Sequence, residues 1–187
     1  MTSAKKTLHA DDQSIFTVSD LLSEEECDHF IRFTEAHGYD PAPITTGAGF
    51  RMRPDIRNNW RVMIDDTTRA DWLWERLAPF MPERWGLWRP AGLNERFRYY
   101  RYDTSQFFKW HGDGAFIRSD VERSLFTAMV YLNGDFEGGT TDFWDGGSIV
   151  PRRGMALLFE HSQTHQGAPV RKGRKYVLRT DVMYRRQ

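Results

Sequence analysis

The sequence lacks a second cysteine, an excess of charge of one sign and a long apolar run. Its one cysteine, Cys27, cannot form an internal disulfide, so a reducing compartment is the natural assumption. Lysine plus arginine and aspartate plus glutamate number 26 each, and a formal net charge of zero gives no global field for gathering nucleic acid or an anionic membrane. We see no leader-like N-terminal pattern and no apolar run of membrane-spanning length, and we expect a cytoplasmic protein.

The chain of 187 residues shows no internal repeat, and its length predicts one domain with its own core. In residues 1–92 we predict an N-terminal strand at 15–18 after a polar, frayed segment at 1–13, and then two helices. Ser23 and Glu26 form a capping box that opens the first helix, and the second runs from Thr67 or Thr68 to before Pro82. Between them, residues 39–60 are rich in proline, glycine and arginine, which indicates a long loop of the kind that forms lids.

Residues 93–187 change from helical periods to short extended runs separated by turn residues. These runs lie at 97–102, 107–113, 125–132, 140–144, 156–159, 165–170 and 175–183. Many short strands at such spacing are typical of a β-sandwich or a jelly roll. We therefore predict a mainly β protein with supporting helices, whose core is a β-sandwich or a jelly roll of the cupin-like kind.

The stretch from Phe108 to Gly114 holds an HxD pair, His111 and Asp113. Side chains two apart on a strand point to the same face, so this imidazole and carboxylate project together. With one distant histidine, for which we propose His165, they complete a 2-His-1-carboxylate triad suited to Fe(II). His161 competes with His165 for this role, but a strand ending at Phe159 would leave His161 in the following turn.

The motifs, taken in order, resemble a known family. They are His111-Gly-Asp113, Val130-Tyr-Leu-Asn133, Gly138-Gly-Thr-Thr141, Gly154-Met-Ala-Leu-Leu-Phe159, His165-Gln-Gly167 and Gly173-Arg-Lys-Tyr-Val-Leu-Arg179. From Asn94 to Tyr184 the chain is similar to the 2-oxoglutarate and Fe(II) dependent dioxygenases, in their prolyl 4-hydroxylase-like branch. The resemblance implies a double-stranded β-helix, Fe(II) as cofactor, 2-oxoglutarate and O2 as cosubstrates, and ascorbate as an optional reductant. It further implies hydroxylation of a C–H bond with decarboxylation of 2-oxoglutarate to succinate and CO2.

The same resemblance implies roles for individual residues. His111, Asp113 and His165 match the three iron ligands, which are also the catalytic centre, and the presence of Asp113 favours hydroxylation over halogenation. Lys175 stands about ten residues past His165, where the family has a cation for the far carboxylate of 2-oxoglutarate, and Arg179 is the alternative on the same strand face. The further members of the predicted cofactor site are two tyrosines, Tyr102 and Tyr131; each could equally be a core residue with a satisfied hydroxyl.

The arginine-rich part of the 39–60 segment and Arg61 allow two interpretations. A charge run usually lies on a solvated loop, whereas a lid closing over substrate would place such side chains at the active site. On the second interpretation Arg57 and Trp60 line the substrate entrance.

The function we expect is hydroxylation of a prolyl or other amino-acid residue in a peptide or protein, and the alternative is a free amino acid or other small molecule. We expect no nucleic-acid partner and no membrane partner, and the oligomeric state is open. Two further classes stay open: a zinc-type hydrolase or lyase using the same three ligands, and a non-enzymatic cupin-like binding domain. The hydrolase or lyase would leave the cation at Lys175 without a role, and in the binding domain the triad would be vestigial or would merely store metal.

Overall fold

The computed structural model describes residues 4–145 and 147–186 of the chain. Helix α1 spans Glu24–His37 and helix α2 spans Thr67–Leu77, followed by a 3-10 turn at Ala78–Phe80. The strands of the first half are β1 Lys5–Leu8, β2 Ile15–Ser19, β3 Asp40–Pro41, β4 Ile44–Thr46, β5 Gly49–Arg51, β6 Trp60–Asp65 and β7 Trp88–Leu93. Those of the second half are β8 Arg96–Tyr102, β9 Phe108–His111, β10 Ile117–Ser119, β11 Glu122–Tyr131, β12 Glu137–Gly138, β13 Thr141–Phe143, β14 Ser148–Ile149, β15 Ala156–Glu160, β16 His165–Gly167, β17 Val170–Lys172 and β18 Lys175–Arg186.

Both helices begin at capping residues that the sequence contains. The Ser23 hydroxyl accepts from the Glu26 backbone N–H at 3.2 Å, and the Glu26 carboxylate accepts from the Ser23 N–H at 2.8 Å. This predicted capping box satisfies two orphan donors of α1. Asp66 caps α2 by accepting from the Arg69 N–H at 2.8 Å. Neither helix in the described residues has the length and apolar character needed to cross a membrane.

A large sheet forms the frame of the molecule. Its strands run in the order β1-β2-β15-β11-β18-β8-β6-β3, with β10 joined to β11 and β7 to β18. The twelve-residue strand β18 is central, because it pairs antiparallel with β11 on one side and with β8 and β7 on the other. A long strand buried on both faces holds its side chains in fixed positions, which matters for the site described below.

A smaller sheet of order β14-β13-β16-β9 packs against one face of the large sheet. The core between them joins large-sheet residues such as Tyr100, Leu157 and Val177 to Phe143 and Ile149 of the small sheet. The other face of the large sheet is covered by the helices, whose buried residues include Phe30, Leu73 and Leu77. This arrangement confirms the predicted jelly-roll core with supporting helices.

Three segments are more regular than the sequence suggested. Residues 5–8 of the segment expected to be frayed pair with β2, while residues 1–3 lie outside the described part of the chain. The segment 39–60, predicted as a loop, contains the β4–β5 hairpin and ends at β6, which pairs with β8 across six residues from Trp60↔Arg101 to Asp65↔Arg96. The charged residues Arg61 and Asp65 interrupt the apolar pattern of β6, and for this reason the sequence pattern did not predict a strand there.

Candidate active site

The HxD pair and the distant histidine meet at one end of the small sheet. His111 closes β9 and His165 opens β16, and these two residues are direct antiparallel partners. Asp113 lies two residues beyond His111. One ligand atom from each of the three side chains lies within 4.8 Å of the other two, so strand pairing brings together residues that are 54 positions apart.

Hydrogen bonds orient both imidazole rings. The Nδ1 atom of His111 donates to the carbonyl of Lys109 at 2.7 Å, and the Nδ1 atom of His165 donates to the carbonyl of Gln163 at 2.9 Å. A carbonyl can only accept, so each Nδ1 carries the proton and each Nε2 keeps its lone pair. The two Nε2 atoms each lie 3.9 Å from a carboxylate oxygen of Asp113. Both lone pairs are therefore available on the side of the carboxylate.

The protonation states suit metal binding as well. Burial, reinforced by the neighbouring His165, lowers the pKa of His111 to about 3, and burial lowers the pKa of His165. Burial alone would raise the pKa of Asp113, but Arg179 and the two histidines outweigh it and hold that pKa well below its usual range. At neutral pH the three groups are two neutral imidazoles and one carboxylate.

Two further side chains hold the Asp113 carboxylate. Its Oδ2 atom accepts from the hydroxyl of Thr127 at 2.6 Å and lies 3.0 Å from Nη2 of Arg179. The Oδ1 atom is left without a hydrogen-bond donor among residues 4–145 and 147–186. Two nitrogens and one oxygen on one side of a site, with outer partners fixing each ligand, form the donor set of non-haem Fe(II) centres. The residues present thus fit Fe(II).

A narrow pocket connects the triad to Lys175. It is also lined by Tyr102, Thr141 and Arg179, among others. The Lys175 side chain is 2% exposed, and its Nζ atom donates to the carbonyl of Gly139 at 2.6 Å. No carboxylate lies within ion-pair distance of this ammonium in the described residues. Burial, opposed by the charge of Asp142, lowers the pKa of Lys175 to about 7. An ammonium buried without an anion is costly, and a carboxylate arriving in this pocket would pair with it.

The two predicted tyrosines flank this ammonium. Lys175 Nζ lies 5.3 Å from the ring centroids of both Tyr102 and Tyr131. The Tyr131 hydroxyl hydrogen-bonds that of Thr141 at 2.7 Å, and burial raises the pKa of Tyr102 to about 12. Tyr102 lines the pocket directly, whereas Tyr131 reaches it through Thr141.

Arg179, the alternative anchor, is engaged elsewhere. Its Nη2 atom contacts Asp113 at 3.0 Å and Asp181 at 3.2 Å. Lys175 and Arg179 both face the pocket, as their spacing predicts, but only Lys175 lacks an acidic partner there among the described residues.

A larger cavity of about 490 Å³ adjoins the narrow pocket at the triad, and His111, Asp113 and Arg179 line both. It is lined by His111, Asp113 and Arg57, with Ile44 and Phe50 of the β4–β5 hairpin at its edge. Arg57 thus belongs to the lining of this cavity, and its place at the substrate entrance stays a prediction.

Trp60 does not line this cavity, contrary to the prediction made for it. Its indole nitrogen donates to Asp103 at 3.0 Å, and the ring lies near the Arg101 guanidinium. Alternation along β6 explains the difference, because Arg61 and Met63 point into the cavity and Trp60 points to the opposite face.

His161 is placed away from the three ligands. It is 7% exposed, and its ring nitrogens hydrogen-bond the hydroxyls of Ser124 at 2.9 Å and Thr127 at 3.2 Å. Those contacts support Thr127 and, through it, Asp113.

Some residues of the site were missed in the sequence. Thr127, Tyr100, Arg98 and Asp181 all lie around the triad or the cavity. Tyr100 carried a usable signal, since it stands two residues before Tyr102 on the same strand face. No sequence pattern indicated Thr127, because its contact with Asp113 depends on the pairing of β11 within the sheet.

Comparison with known proteins places these observations in a family context. A family model described as the 2OG-Fe(II) oxygenase superfamily matches residues 97–180. That range contains all three triad residues together with Lys175 and Arg179.

A similar curated protein is prolyl 4-hydroxylase 1 of Arabidopsis thaliana, which is 24% identical over 87% of this chain. This chain spans 66% of the length of that relative, just under two thirds.

Solved structures share the fold. The viral collagen prolyl hydroxylase of Paramecium Bursaria Chlorella virus-1, determined with 2OG, is similar with a TM-score of 0.63 and 21% identity, covering 95% of this chain and 99% of that one. A prolyl hydroxylase from Trichoplax adhaerens, determined with a hypoxia inducible factor peptide fragment, is similar with a TM-score of 0.69 and 15% identity, covering 90% and 83%. At sequence identities of 21% and 15%, the structural similarity establishes the fold alone. The chemistry is inferred from the geometry of the site.

Proposed function

We propose that this chain, a 2-oxoglutarate and Fe(II) dependent oxygenase of the prolyl hydroxylase-like type, hydroxylates a C–H bond of a prolyl residue in a peptide. The observation that carries the oxygenase chemistry is Lys175, a buried ammonium in the same narrow pocket as the triad. A zinc-type hydrolase or a cupin-like binding domain would have no use for it. The three ligands alone would not distinguish these classes.

In this proposal the triad holds the metal and the pocket holds the cosubstrate. His111, Asp113 and His165 bind Fe(II) through two Nε2 atoms and a carboxylate oxygen. Lys175 pairs with the far carboxylate of 2-oxoglutarate, and Tyr102 with Thr141 lines its path. Bound together, the metal, 2-oxoglutarate and dioxygen supply the oxidising power that places one oxygen atom on the substrate and converts 2-oxoglutarate to succinate and CO2.

The protein groups orient the reactants and control charge. Arg179 and Thr127 hold Asp113 as a carboxylate in one orientation, which keeps the ligand set on one side of the metal. Burial of Lys175 excludes water from the cosubstrate carboxylate and strengthens its pairing with the ammonium. The large cavity reaches the triad at His111 and Asp113, which both line it, and it leaves space for a substrate C–H bond to approach.

The prolyl substrate is supported by the relatives, whose names identify them as prolyl 4-hydroxylases. It is also supported by the shape of the site, because the cavity opens beside an exposed hairpin where an extended peptide segment has access. A free amino acid or another small molecule is the competing substrate class.

The first experiment is an anaerobic titration of the Fe(II)-loaded protein with 2-oxoglutarate, followed by the visible charge-transfer band of the chelate. We expect the band in the wild type, and a requirement for at least about tenfold more 2-oxoglutarate in Lys175→Ala, because a charge-assisted hydrogen bond contributes about 1.5–3 kcal/mol. Lys172→Ala is the matched control, since Lys172 is 80% exposed. Absence of the band with iron demonstrably bound would contradict the proposal.

Substrate turnover is tested after the band is established. Short proline-containing peptides should stimulate succinate release under air, and the peptide should gain one oxygen atom by mass spectrometry. A hydrolase would ignore 2-oxoglutarate and work without dioxygen, and a binding domain would turn over nothing.

A further inference from the structure

We infer that the large cavity selects a substrate that carries a carboxylate, and that Arg57 and Arg61 bind that carboxylate. This inference rests on the proposed function, because it names the substrate class of the same site. It concerns the cavity that Arg57 and Arg61 line, whereas Lys175 lines the narrow pocket beside it.

The cavity has an excess of positive charge. Its lining includes five arginines and two aspartates. Arg98 pairs with Asp181 at 3.2 Å, Arg179 pairs with Asp113, and Arg96 pairs with Asp65 at 2.9 Å. For the other two arginines, Arg57 and Arg61, the described residues offer no carboxylate within 4.0 Å.

Arg57 is the more unusual of the two. It is 5% exposed, and its guanidinium lies 4.6 Å from the Tyr100 ring centroid and 4.3 Å from that of Phe108. Its Nε atom donates to the side chain of Asn59 at 2.7 Å, while Nη2 is buried and has no hydrogen-bond partner in the described part of the chain. A buried donor without a partner carries a substantial free-energy penalty. The Nη2 atom itself is enclosed by protein atoms, but Arg57 lines the cavity with other atoms of its side chain, and its positive charge, which no carboxylate of the described residues balances, would attract a ligand carboxylate there.

Arg61 extends this site toward the hairpin. It projects from β6 into the cavity, with its guanidinium 5.8 Å from the ring centroid of Phe50. Burial lowers the pKa of Arg61, and the nearby Arg57 lowers it further. Both guanidinium groups thus belong to one cavity and influence each other electrostatically, and a guanidinium offers the two parallel N–H donors that a carboxylate accepts best.

The position of Arg57 relative to the triad limits the size of the substrate. The Phe108 ring lies between Arg57 and His111. It stacks on the His111 ring, with centroids 3.5 Å apart, and its other face contacts the Arg57 guanidinium. The Arg57 guanidinium carbon, 4.3 Å from the Phe108 centroid, is therefore no more than about 8 Å from the centre of the His111 ring, so a carboxylate held at Arg57 stays near the triad. The reacting C–H bond lies only a few carbon atoms from the carboxylate. An acidic residue or C-terminus adjoining a proline satisfies this, and so does a small carboxylic acid.

The test compares acids with their neutral amides. One pair is N-acetyl-L-proline and N-acetyl-L-prolinamide, and the other is a pentapeptide with Asp after proline and its Asn counterpart. Binding is measured anaerobically by calorimetry on the Fe(II) and 2-oxoglutarate loaded protein, and succinate release is measured under air. The variants are Arg57→Gln and Arg61→Gln, with Arg53→Gln as control because Arg53 is exposed and pairs with Asp55 outside the cavity.

We expect at least one acid to bind about tenfold or more tightly than its amide, because a hydrogen bond to a charged group contributes about 1.5–3 kcal/mol. The Arg57→Gln and Arg61→Gln variants should lose this preference for the acid, and Arg53→Gln should keep it. Preference in the pentapeptide pair assigns the carboxylate to an acidic peptide, and preference in the N-acetylproline pair assigns it to a small acid or a C-terminus. Equal binding of acid and amide in both pairs overturns the inference, as does a preference that survives both cavity substitutions.

The chelate band separates this inference from the proposed function. If the band forms normally and no acid is preferred, the oxygenase assignment stands and the carboxylate inference fails. If Arg57→Gln instead raises the 2-oxoglutarate concentration that the band requires, Arg57 serves the cosubstrate and the inference is wrong. Arg57→Lys, which keeps the charge, should retain part of the preference and so separates a charge effect from a packing defect.

Discussion

Arg179 lies 3.0 Å from Asp113 and shares with Thr127 the Oδ2 atom of its carboxylate. The Arg179 side chain is 13% exposed and the Asp113 side chain 9%. A buried ion pair on a metal ligand does two things: it stabilises the charged ligand before the metal arrives, and it fixes which oxygen is free to bind.

Replacing Arg179 by Leu should destabilise the metal-free protein by about 3–5 kcal/mol, because the change leaves an unpaired buried carboxylate. Urea unfolding in the presence of a chelator measures this. Arg96→Gln is the control, since the exposed Arg96–Asp65 pair should contribute no more than about 1 kcal/mol.

The destabilisation should also depend on pH. In the wild type the pKa of Asp113 lies below its unfolded value, so its ionised form contributes stability at neutral pH that is lost as the pH falls toward the folded pKa. The difference between wild type and Arg179→Leu should therefore shrink in acid. The ordinary pKa of an aspartate is 3.8, so the loss should be confined to pH values below about 5, and a difference that stays constant from pH 5 to pH 2 would argue against this account.

Thr127→Val should weaken Fe(II) binding by about 10–100-fold, the usual effect of removing an outer partner of a metal ligand. Valine has the shape of threonine, so the fold should be retained, while the hydrogen bonds of the hydroxyl to Asp113, His161 and Arg179 are lost. Anaerobic competition with a chromophoric chelator gives the affinity. Thr104→Val, at an exposed threonine that hydrogen-bonds Gly173, should bind iron like the wild type.

Binding of 2-oxoglutarate should weaken with rising pH because burial lowers the pKa of Lys175 to about 7. Only the protonated ammonium pairs with a carboxylate, so the dissociation constant should rise about tenfold per pH unit above about pH 7, until the pKa of the bound complex is reached. Lys175→Arg should remove this dependence. The measurement is the chelate-band titration repeated between pH 6 and pH 9, and a flat wild-type profile would contradict the assignment.

The protein should contain a tyrosine that ionises near pH 8. Burial disfavours the Tyr100 phenolate, but Arg57 and Arg179 outweigh that cost and lower the pKa of Tyr100 to about 8. The ultraviolet phenolate absorption should show this step, and Tyr100→Phe should abolish it. Arg57→Gln should move the step to higher pH, whereas Arg53→Gln should leave it in place.

Local patterns were sufficient to predict part of this molecule. The capping box at Ser23, the strand run after Asn94 and the period-two spacing of His111 and Asp113 each depend on neighbours in the sequence. The order of motifs implied the jelly roll, and the structure has it.

The rest depends on contacts between distant segments. Strand β6 was missed because its charged residues pair with β8 more than thirty positions later. The engagement of Arg179 with Asp113, and of Thr127 with the same carboxylate, depends on the register of β18 and β11. Trp60 lies outside the cavity for a simpler reason: one position along a strand decides which face of the sheet a side chain occupies.

Strand β18 carries Lys175, Arg179 and Asp181 on one face, at alternate positions. The proposed cosubstrate anchor, the residue that holds the proposed metal ligand and part of the cavity charge thus lie on one face of one strand. Inserting or deleting one residue between Lys175 and Arg179 would turn the residues on one side of the change toward the helices, so that Lys175 and Arg179 could no longer face the same pocket. Length variation among descendants of this sequence should accordingly be confined to the turns at either end of β18, and any variant that breaks the strand should lose cosubstrate and metal binding together.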